Sequence, residues 1–187
     1  MEDSVDIDSL ILKCMTKSSY HEPLTARTVA SCFDSPYSIY CEKFVDKEEK
    51  DKISEYDKLL FQKGNDHETN VVHEKYPNAV SVSFESPEIG FRSTVESMVN
   101  GDDILHAMPV YYLPNGVYGI PDMLEKSDTG SSVFGDYHYT VTEVKVAKNI
   151  RKSHLIQGAF YNYLLGAIQG ITPDTFFIID GNGDKNE

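Results

Sequence analysis

The amino-acid sequence predicts an α/β fold of the α+β type, in which helices precede and flank a mixed sheet in the order αβββαβ. Apolar and charged residues recur at helical spacing through the first part of the chain. Three runs rich in Val, Ile, Tyr and Thr follow, and after them come an apolar helical run and a short apolar strand. These observations predict a helical N-terminal extension over 1–78 and a sheet core over 79–180.

The whole chain of 187 residues fits within one domain, because single domains usually hold about 50 to 250 residues. We therefore expect a single domain over 1–187. The chain ends soon after the last predicted strand, which is also compatible with one domain of a longer natural protein.

Four helices are predicted before residue 100, over 26–33, 36–44, 47–75 and 87–99. Thr25 suits the N-cap of the first helix, and Asp34-Ser35-Pro36 ends it. Pro36 then suits the first turn of the second helix. Backbone N–H groups in this turn have no partner within the helix, so proline loses no hydrogen bond there. The third helix is long, and Gly64 is a candidate position for an interruption. We interpret its acidic stretch over 46–57 as a solvated face.

The sheet core begins with a short predicted strand over 79–84. Three consecutive strands are predicted next, over 104–113, 117–124 and 137–146. Turn sequences at Pro114-Asn115-Gly116 and at 127–130 separate them, which predicts an antiparallel meander. A helix over 154–170 and a buried strand over 175–179 complete the core.

The net charge disfavours a nucleic-acid ligand, because 17 basic and 30 acidic residues give a formal charge of −13. A local basic run exists nevertheless. Lys145, Lys148, Arg151 and Lys152 fall within eight residues, with no acidic residue between them. We predict that Lys148, Arg151 and Lys152 contact nucleic acid.

Cys14, Cys32 and Cys41 are few and scattered, which fits a reducing compartment better than a disulfide framework. The acidic start Met1-Glu2-Asp3 lacks the basic region of a signal peptide, and no stretch approaches the roughly 20 apolar residues that span a bilayer. A cytoplasmic location without a membrane partner is the default expectation.

Asp122 and Glu143 are predicted near the ends of two neighbouring antiparallel strands. Carboxylates so placed can hold Mg²⁺ or Mn²⁺ through oxygen ligands. Lys145 points to the same face as Glu143, since strand side chains alternate with period two. It could orient a metal-activated water and stabilise charge on a phosphate. Val144 faces away, but its backbone carbonyl could still reach the metal.

An alternative interpretation of Glu143 and Lys145 is a cross-strand ion pair on a solvated sheet face. Glu-x-Lys also occurs by chance at Glu48-Glu49-Lys50 in a charged run, so the tripeptide carries little weight alone. Order and context favour a site, because an Asp in one strand precedes Glu-x-Lys in the next.

Gly119-Ile-Pro121-Asp122, Glu143-Val144-Lys145 and Gln157-Gly-Ala-Phe-Tyr161 together resemble motifs II, III and IV of the PD-(D/E)XK nuclease superfamily, in its RecB-like branch. That branch also has a helical motif with a metal-binding histidine, which Gly64-Asn-Asp-His67-Glu68 resembles. The resemblance spans residues 24–180 and implies a restriction-endonuclease-like αβββαβ core.

The resemblance also implies roles for single residues. His67, Asp122 and Glu143 would ligate Mg²⁺ or Mn²⁺, with Lys145 as the catalytic lysine. A histidine on an amphipathic helix is more often a structural or surface residue, which is the alternative for His67.

Gln157 and Tyr161 lie one helical turn apart and therefore on one face. The resemblance implies that both position the phosphate or the scissile strand. Their alternative is ordinary helix surface and core.

Many relatives in this branch, such as CRISPR-adaptation exonucleases, carry an iron–sulfur cluster held by four cysteines. One of the four comes from an early Cys-Pro, where this chain has Ser35-Pro36, and no cysteine follows Cys41. Three cysteines alone are short of a ligand, so we predict no iron–sulfur cluster.

Two functions follow as hypotheses. The first is a metal-dependent deoxyribonuclease, exonuclease-like on single-stranded or frayed DNA, in repair, recombination or defence. RNA stays open as a substrate, because contacts to phosphates do not distinguish the sugar. The second is a non-catalytic nucleic-acid-binding or interaction module within a larger protein complex, which the charge of −13 favours.

Overall fold

The computed structural model describes residues 5–18 and 22–187, which form a mixed α/β structure. The helices are α1 (Ile7–Met15), α2 (Ala26–Asp34), α3 (Pro36–Phe44), α4 (Glu55–Lys75), α5 (Pro87–Asn100) and α6 (Lys152–Gln169). The strands are β1 (Ile104–His106), β2 (Val110–Tyr112), β3 (Val117–Gly119), β4 (Met123–Ser127), β5 (His138–Val144), β6 (Phe177–Ile179) and β7 (Lys185–Asn186). The predicted mixed α/β class is confirmed.

Local capping signals placed the helix ends well. The Thr25 side chain accepts from the Thr28 N–H at the start of α2, and Pro36 is in the first turn of α3. Ser86 caps α5, and Gly101 ends it with a left-handed φ of 72°, a conformation that glycine adopts without steric cost. These predicted helices are confirmed within one or two residues.

The single long helix predicted over 47–75 is wrong in its first part. A short 3₁₀ turn covers Lys47–Glu49, and α4 begins only after Ser54. Ser54 and Asp57 form a reciprocal capping box, which starts a new helix at this point. From there α4 continues through Gly64 without interruption.

The strand predicted over 79–84 is also wrong. Val80 forms an isolated bridge to Leu105 of β1. Its N–H donates to the Ile104 carbonyl, and its carbonyl accepts from the His106 N–H. The next residues are exposed and lead into the Ser86 cap of α5. The segment therefore ends before it can pair as a strand.

Two of the predicted meander strands are each split in the structure. Ala107 has a left-handed φ of 51°, so the chain leaves the sheet after β1 and returns as the separate hairpin β2–β3. Pro121 lies in the corresponding break between β3 and β4. Proline cannot donate to a sheet ladder, which makes this break physically reasonable.

The main sheet has the order β1-β4-β5-β6-β7, in which β5 and β6 pair in parallel and the other neighbours are antiparallel. Every residue of β5 is buried. Helix α6 connects β5 to β6 and packs on β5, with α2 on its other flank. Gln169 ties the end of α6 to β5, because its side chain accepts from the Tyr139 N–H and donates to the Tyr139 carbonyl.

Across the described ranges 5–18 and 22–187, none of the helices combines the length and the apolar character needed to cross a bilayer.

Candidate active site

Asp122 and Glu143 meet at one end of the β4–β5 pair. Met123 pairs with Thr142 in the antiparallel register, which places Asp122 opposite Glu143. The Asp122 N–H donates to Glu143 Oε1 over 3.2 Å. In return, the Val144 N–H donates to Asp122 Oδ2 over 2.6 Å. The backbone of each strand thus orients the carboxylate of the other.

Lys145 joins the two carboxylates. Its Nζ lies 2.8 Å from Glu143 Oε2 and 3.5 Å from Asp122 Oδ2. Its backbone N–H donates to the Ile179 carbonyl over 2.8 Å, so the parallel strand β6 fixes its position. The Glu143 side chain is 2% exposed, against 19% for Lys145 and 21% for Asp122. The ion pairs of Lys145 with Glu143 and Asp122 are therefore largely buried and do not lie on a solvated sheet face.

The electrostatics of this cluster leave negative charge without full compensation. Burial, followed by the charge of Glu143, raises the pKa of Asp122 to about 7, although Lys145 and the Val144 N–H oppose the shift. Burial alone would lower the pKa of Lys145, but Glu143 and Asp122 outweigh it, and the pKa rises. Glu68 also contributes to the raised pKa of Asp122. One lysine does not balance these carboxylates.

Tyr161 lies beside this cluster. Burial, followed by the charges of Glu143 and Asp122, raises the pKa of its hydroxyl, so the phenol stays protonated at neutral pH. Its ring packs on Gly119, where an added Cβ would lie only 2.5 Å from Tyr161 Cε1. The Tyr161 ring therefore leaves no room for a larger side chain at Gly119, three residues before Asp122. Gln157 is partly buried one turn earlier on α6, and its role stays a prediction.

Helix α4 places Glu68 where its charge acts on Asp122, and His67 beside the residue that follows β6. His67 Nε2 lies 3.2 Å from the Asp180 carbonyl, just after β6. Glu68 Oε1 lies 3.0 Å from His106 Nε2, and Glu68 is the α4 residue whose charge acts on Asp122. His67 as a metal ligand stays a prediction, with Glu68 as a second candidate on the same helix.

Sequence reasoning missed Glu68 and His106. Val71 is the buried residue of α4, and His67 and Glu68 stand four and three residues before it. Both spacings lie on the face of Val71, so spacing alone does not choose between His67 and Glu68. His106 could have been found from strand pairing. It lies opposite Met123, the residue that follows Asp122, on the neighbouring strand β1.

The predicted nucleic-acid contacts lie between β5 and the first turn of α6. Lys148, Arg151 and Lys152 are all exposed. His154, also in that first turn, has a pKa lowered by burial and then by Lys145 and Arg151, so this turn lies close to the lysine of the site. In the part of the chain that the structure describes, no three His, Cys, Asp or Glu side chains form a ready-made metal cluster.

No protein-family model, curated protein or solved structure matches the chain. The candidate site therefore has to be interpreted from its own contacts.

Proposed function

We propose that the chain is a metal-dependent deoxyribonuclease of the PD-(D/E)XK superfamily, acting in an exonuclease-like manner on single-stranded or frayed DNA. The observation that carries the proposal is the convergence of Asp122, Glu143 and Lys145 through direct contacts of 2.8 to 3.5 Å. Two carboxylates and a lysine at adjoining strand ends form the minimal equipment for metal-assisted phosphodiester hydrolysis.

The order of elements supports the proposal. α5, the antiparallel strands β1, β4 and β5, the connecting helix α6 and the parallel strand β6 follow one another as a restriction-endonuclease-like αβββαβ core requires. In such a core, the β2–β3 hairpin would be an insertion between the first two strands.

The donor set fits Mg²⁺ or Mn²⁺. Asp122 and Glu143 supply hard carboxylate oxygens, and their negative charge exceeds what Lys145 offsets. The Val144 N–H points at Asp122, and in an extended strand the carbonyl of the same residue points to the same side. Val144 could therefore add its carbonyl oxygen, and Glu68 or His67 a further ligand from α4. The bound ion would supply an activated water and neutralise charge on the phosphate.

The remaining residues have roles that suit this chemistry. The Lys145 ammonium, held between two carboxylates, can donate to the attacking water or to a phosphate oxygen. The protonated Tyr161 hydroxyl can donate to a phosphate oxygen, and Gln157 can do so from the preceding turn. Lys148 and Arg151 add positive charge beside the site, which a substrate phosphate chain requires in so acidic a protein.

The direct test uses labelled single-stranded DNA with Mg²⁺ or Mn²⁺. We expect Asp122→Ala and Lys145→Ala to abolish cleavage while the circular dichroism spectrum stays unchanged. Asp128→Asn and Lys13→Ala change exposed residues of the same charge outside the site and serve as matched controls. Full activity of both site variants would overturn the assignment.

The second candidate is a non-catalytic nucleic-acid-binding or interaction module that keeps this fold within a repair or defence complex. The formal charge of −13 favours its interaction-module form, because such a surface repels DNA at long range. Titration calorimetry with Mn²⁺ near neutral pH separates the two functions, since the module has no need to bind the ion.

A further inference from the structure

Exposed aromatic side chains lie at the end of α2 and along α3. This aromatic ladder consists of Phe33, Tyr37, Tyr40 and Phe44, whose exposed fractions are 63%, 73%, 57% and 70%. α3 has no buried residue. Large aromatic side chains usually bury most of their surface, so four exposed in succession need a ligand or partner to cover them.

The rings of the ladder are arranged as a stacking surface. Tyr37 and Tyr40 are nearly parallel, with centroids 6.2 Å apart and an interplanar angle of 15°. Tyr40 and Phe44 follow with centroids 5.0 Å apart. From Tyr37 to Phe44 the helix rises by about 10 Å, the length of two or three nucleotides.

The ladder begins beside the candidate active site. Lys152 Nζ stands 5.8 Å from the centre of the Phe33 ring, within the range of a cation–π contact. Lys152 opens α6, whose first turn also contains His154, a neighbour of Lys145. A strand held on the ladder would therefore continue onto the basic run and reach the carboxylates.

Two lysines lie on α3 or at its end. At about 100° per residue, Lys43 flanks the ring of Tyr40 on α3, whereas Glu42 lies on the opposite side of the helix. Lys50 Nζ donates to the Glu42 carbonyl over 2.6 Å, which brings another cation to the end of α3. These lysines supply cations close to the rings, although the acidic stretch over 46–57 follows α3 directly.

We propose that the aromatic ladder binds single-stranded nucleic acid by stacking its unpaired bases and feeds the strand along Lys152 to the active site. The proposal rests on the proposed nuclease function for its destination, but its binding step is independent of catalysis. Stacking on aromatic rings tolerates every base, because each base has a π face. The ladder contains only aromatic rings, whereas the exposed apolar residues of α4 include the aliphatic Leu59 and Leu60, a composition better suited to a protein partner.

Fluorescence anisotropy of a labelled 12-nucleotide single strand, with the full chain in EDTA, tests the ladder without any contribution from a metal. We expect Tyr37→Ala combined with Tyr40→Ala to weaken binding by roughly tenfold or more, since each stacked base is worth about 1–3 kcal/mol. The conservative Tyr37→Phe, Tyr40→Phe pair should bind like the parent chain, because it keeps both rings. Tyr56→Ala removes a tyrosine of similar exposure outside the ladder and should change nothing.

Two further measurements separate this proposal from the nuclease assignment. The alanine pair should cleave bis(p-nitrophenyl) phosphate, which has no base to stack, as fast as the parent chain. If no form of the protein cleaves any phosphodiester, the nuclease assignment fails, while the binding experiment in EDTA still decides the ladder.

Unchanged single-strand binding by the alanine pair would overturn the ladder. An equal loss for a duplex of the same sequence would also overturn it, because paired bases cannot stack on the rings. A dimer of the parent chain that becomes a monomer in the alanine pair, with unchanged oligonucleotide binding, would assign the surface to a second copy of the chain instead.

Discussion

The backbone N–H of Asp122 donates to the carboxylate of Glu143 over 3.2 Å, so the first acidic residue of the site holds the second in place. The return bond comes from the residue after Glu143, whose N–H meets Asp122 Oδ2 over 2.6 Å. Both donors are main-chain groups, which remain when a side chain is changed. Substitution of one carboxylate therefore tests its charge without removing the donor that orients the other.

Glu143→Gln should abolish cleavage and weaken Mn²⁺ binding by roughly tenfold or more. Replacing even a residue that only supports a metal ligand typically costs about 10–100-fold in metal affinity or activity. The amide keeps an oxygen for the Asp122 N–H, so the fold should persist, while the charge that holds Lys145 is lost. Calorimetry and oligonucleotide cleavage measure both effects. Glu125→Gln, on the same sheet but paired with Lys185 over 2.6 Å, is the matched control, and equal losses in both variants would contradict the site.

Glu68→Gln and His67→Ala decide which α4 residue serves the metal. The resemblance assigns this ligand to His67, but Glu68 is the residue whose charge reaches Asp122, and His67 Nε2 is occupied by the Asp180 carbonyl. We expect Glu68→Gln to weaken Mn²⁺ binding by roughly tenfold and His67→Ala to weaken it less. Calorimetry at constant pH makes the comparison, and the reverse order would restore His67 as the ligand.

Gly119→Ala should lower both stability and cleavage. The new Cβ would lie 2.5 Å from the ring of Tyr161, so the ring has to move away from the carboxylates, at a cost of about 1–3 kcal/mol for overpacking. Gly64→Ala is a sharp control, because its added Cβ meets no atom within 4 Å apart from its chain neighbours and the nearby backbone of its own helix. Alanine there should stabilise α4 by about 0.5–1 kcal/mol.

Urea unfolding of the two glycine variants measures these opposite signs. A destabilised Gly64→Ala would show that α4 bends or packs differently at this residue. A fully stable and active Gly119→Ala would remove Tyr161 from the neighbourhood of the reaction.

Local signals account for the parts of the fold that the sequence predicted. Thr25 and Pro36 act on the turn they begin, and Asp122, Glu143 and Lys145 converge because alternation along a strand and pairing with its neighbour are short-range rules. The left-handed backbone of Ala107 has no such signal, since alanine rarely adopts it. The break that moves β2 and β3 out of the main sheet was therefore beyond local reasoning.

Sequence reasoning leaves the choice between His67 and Glu68 open for a different reason. Adjacent residues on a helix point about 100° apart, so the rotation of α4 about its axis decides which of them meets the sheet. That rotation depends on tertiary packing, in which Val71 is the buried anchor. Spacing in the sequence singles out this turn of α4 but does not decide which of its side chains faces Asp122.

The stability of the metal-free protein should fall as pH rises toward neutral. Asp122 has its pKa raised from 3.8 to about 7, chiefly by burial and then by Glu143. Between these values the folded chain holds a proton that the unfolded chain has lost, so this group stabilises the fold at low pH and the contribution disappears as pH rises through 7. The loss between pH 5 and pH 8 should be about 3 kcal/mol.

Urea unfolding in EDTA across this range measures the loss of stability, and Asp122→Asn, which cannot titrate, should show a flatter profile. Parallel profiles for the two proteins would contradict the raised pKa. Mn²⁺ added at pH 8 should restore stability to the parent chain and not to Asp122→Asn, because the ion replaces the proton on the same carboxylates.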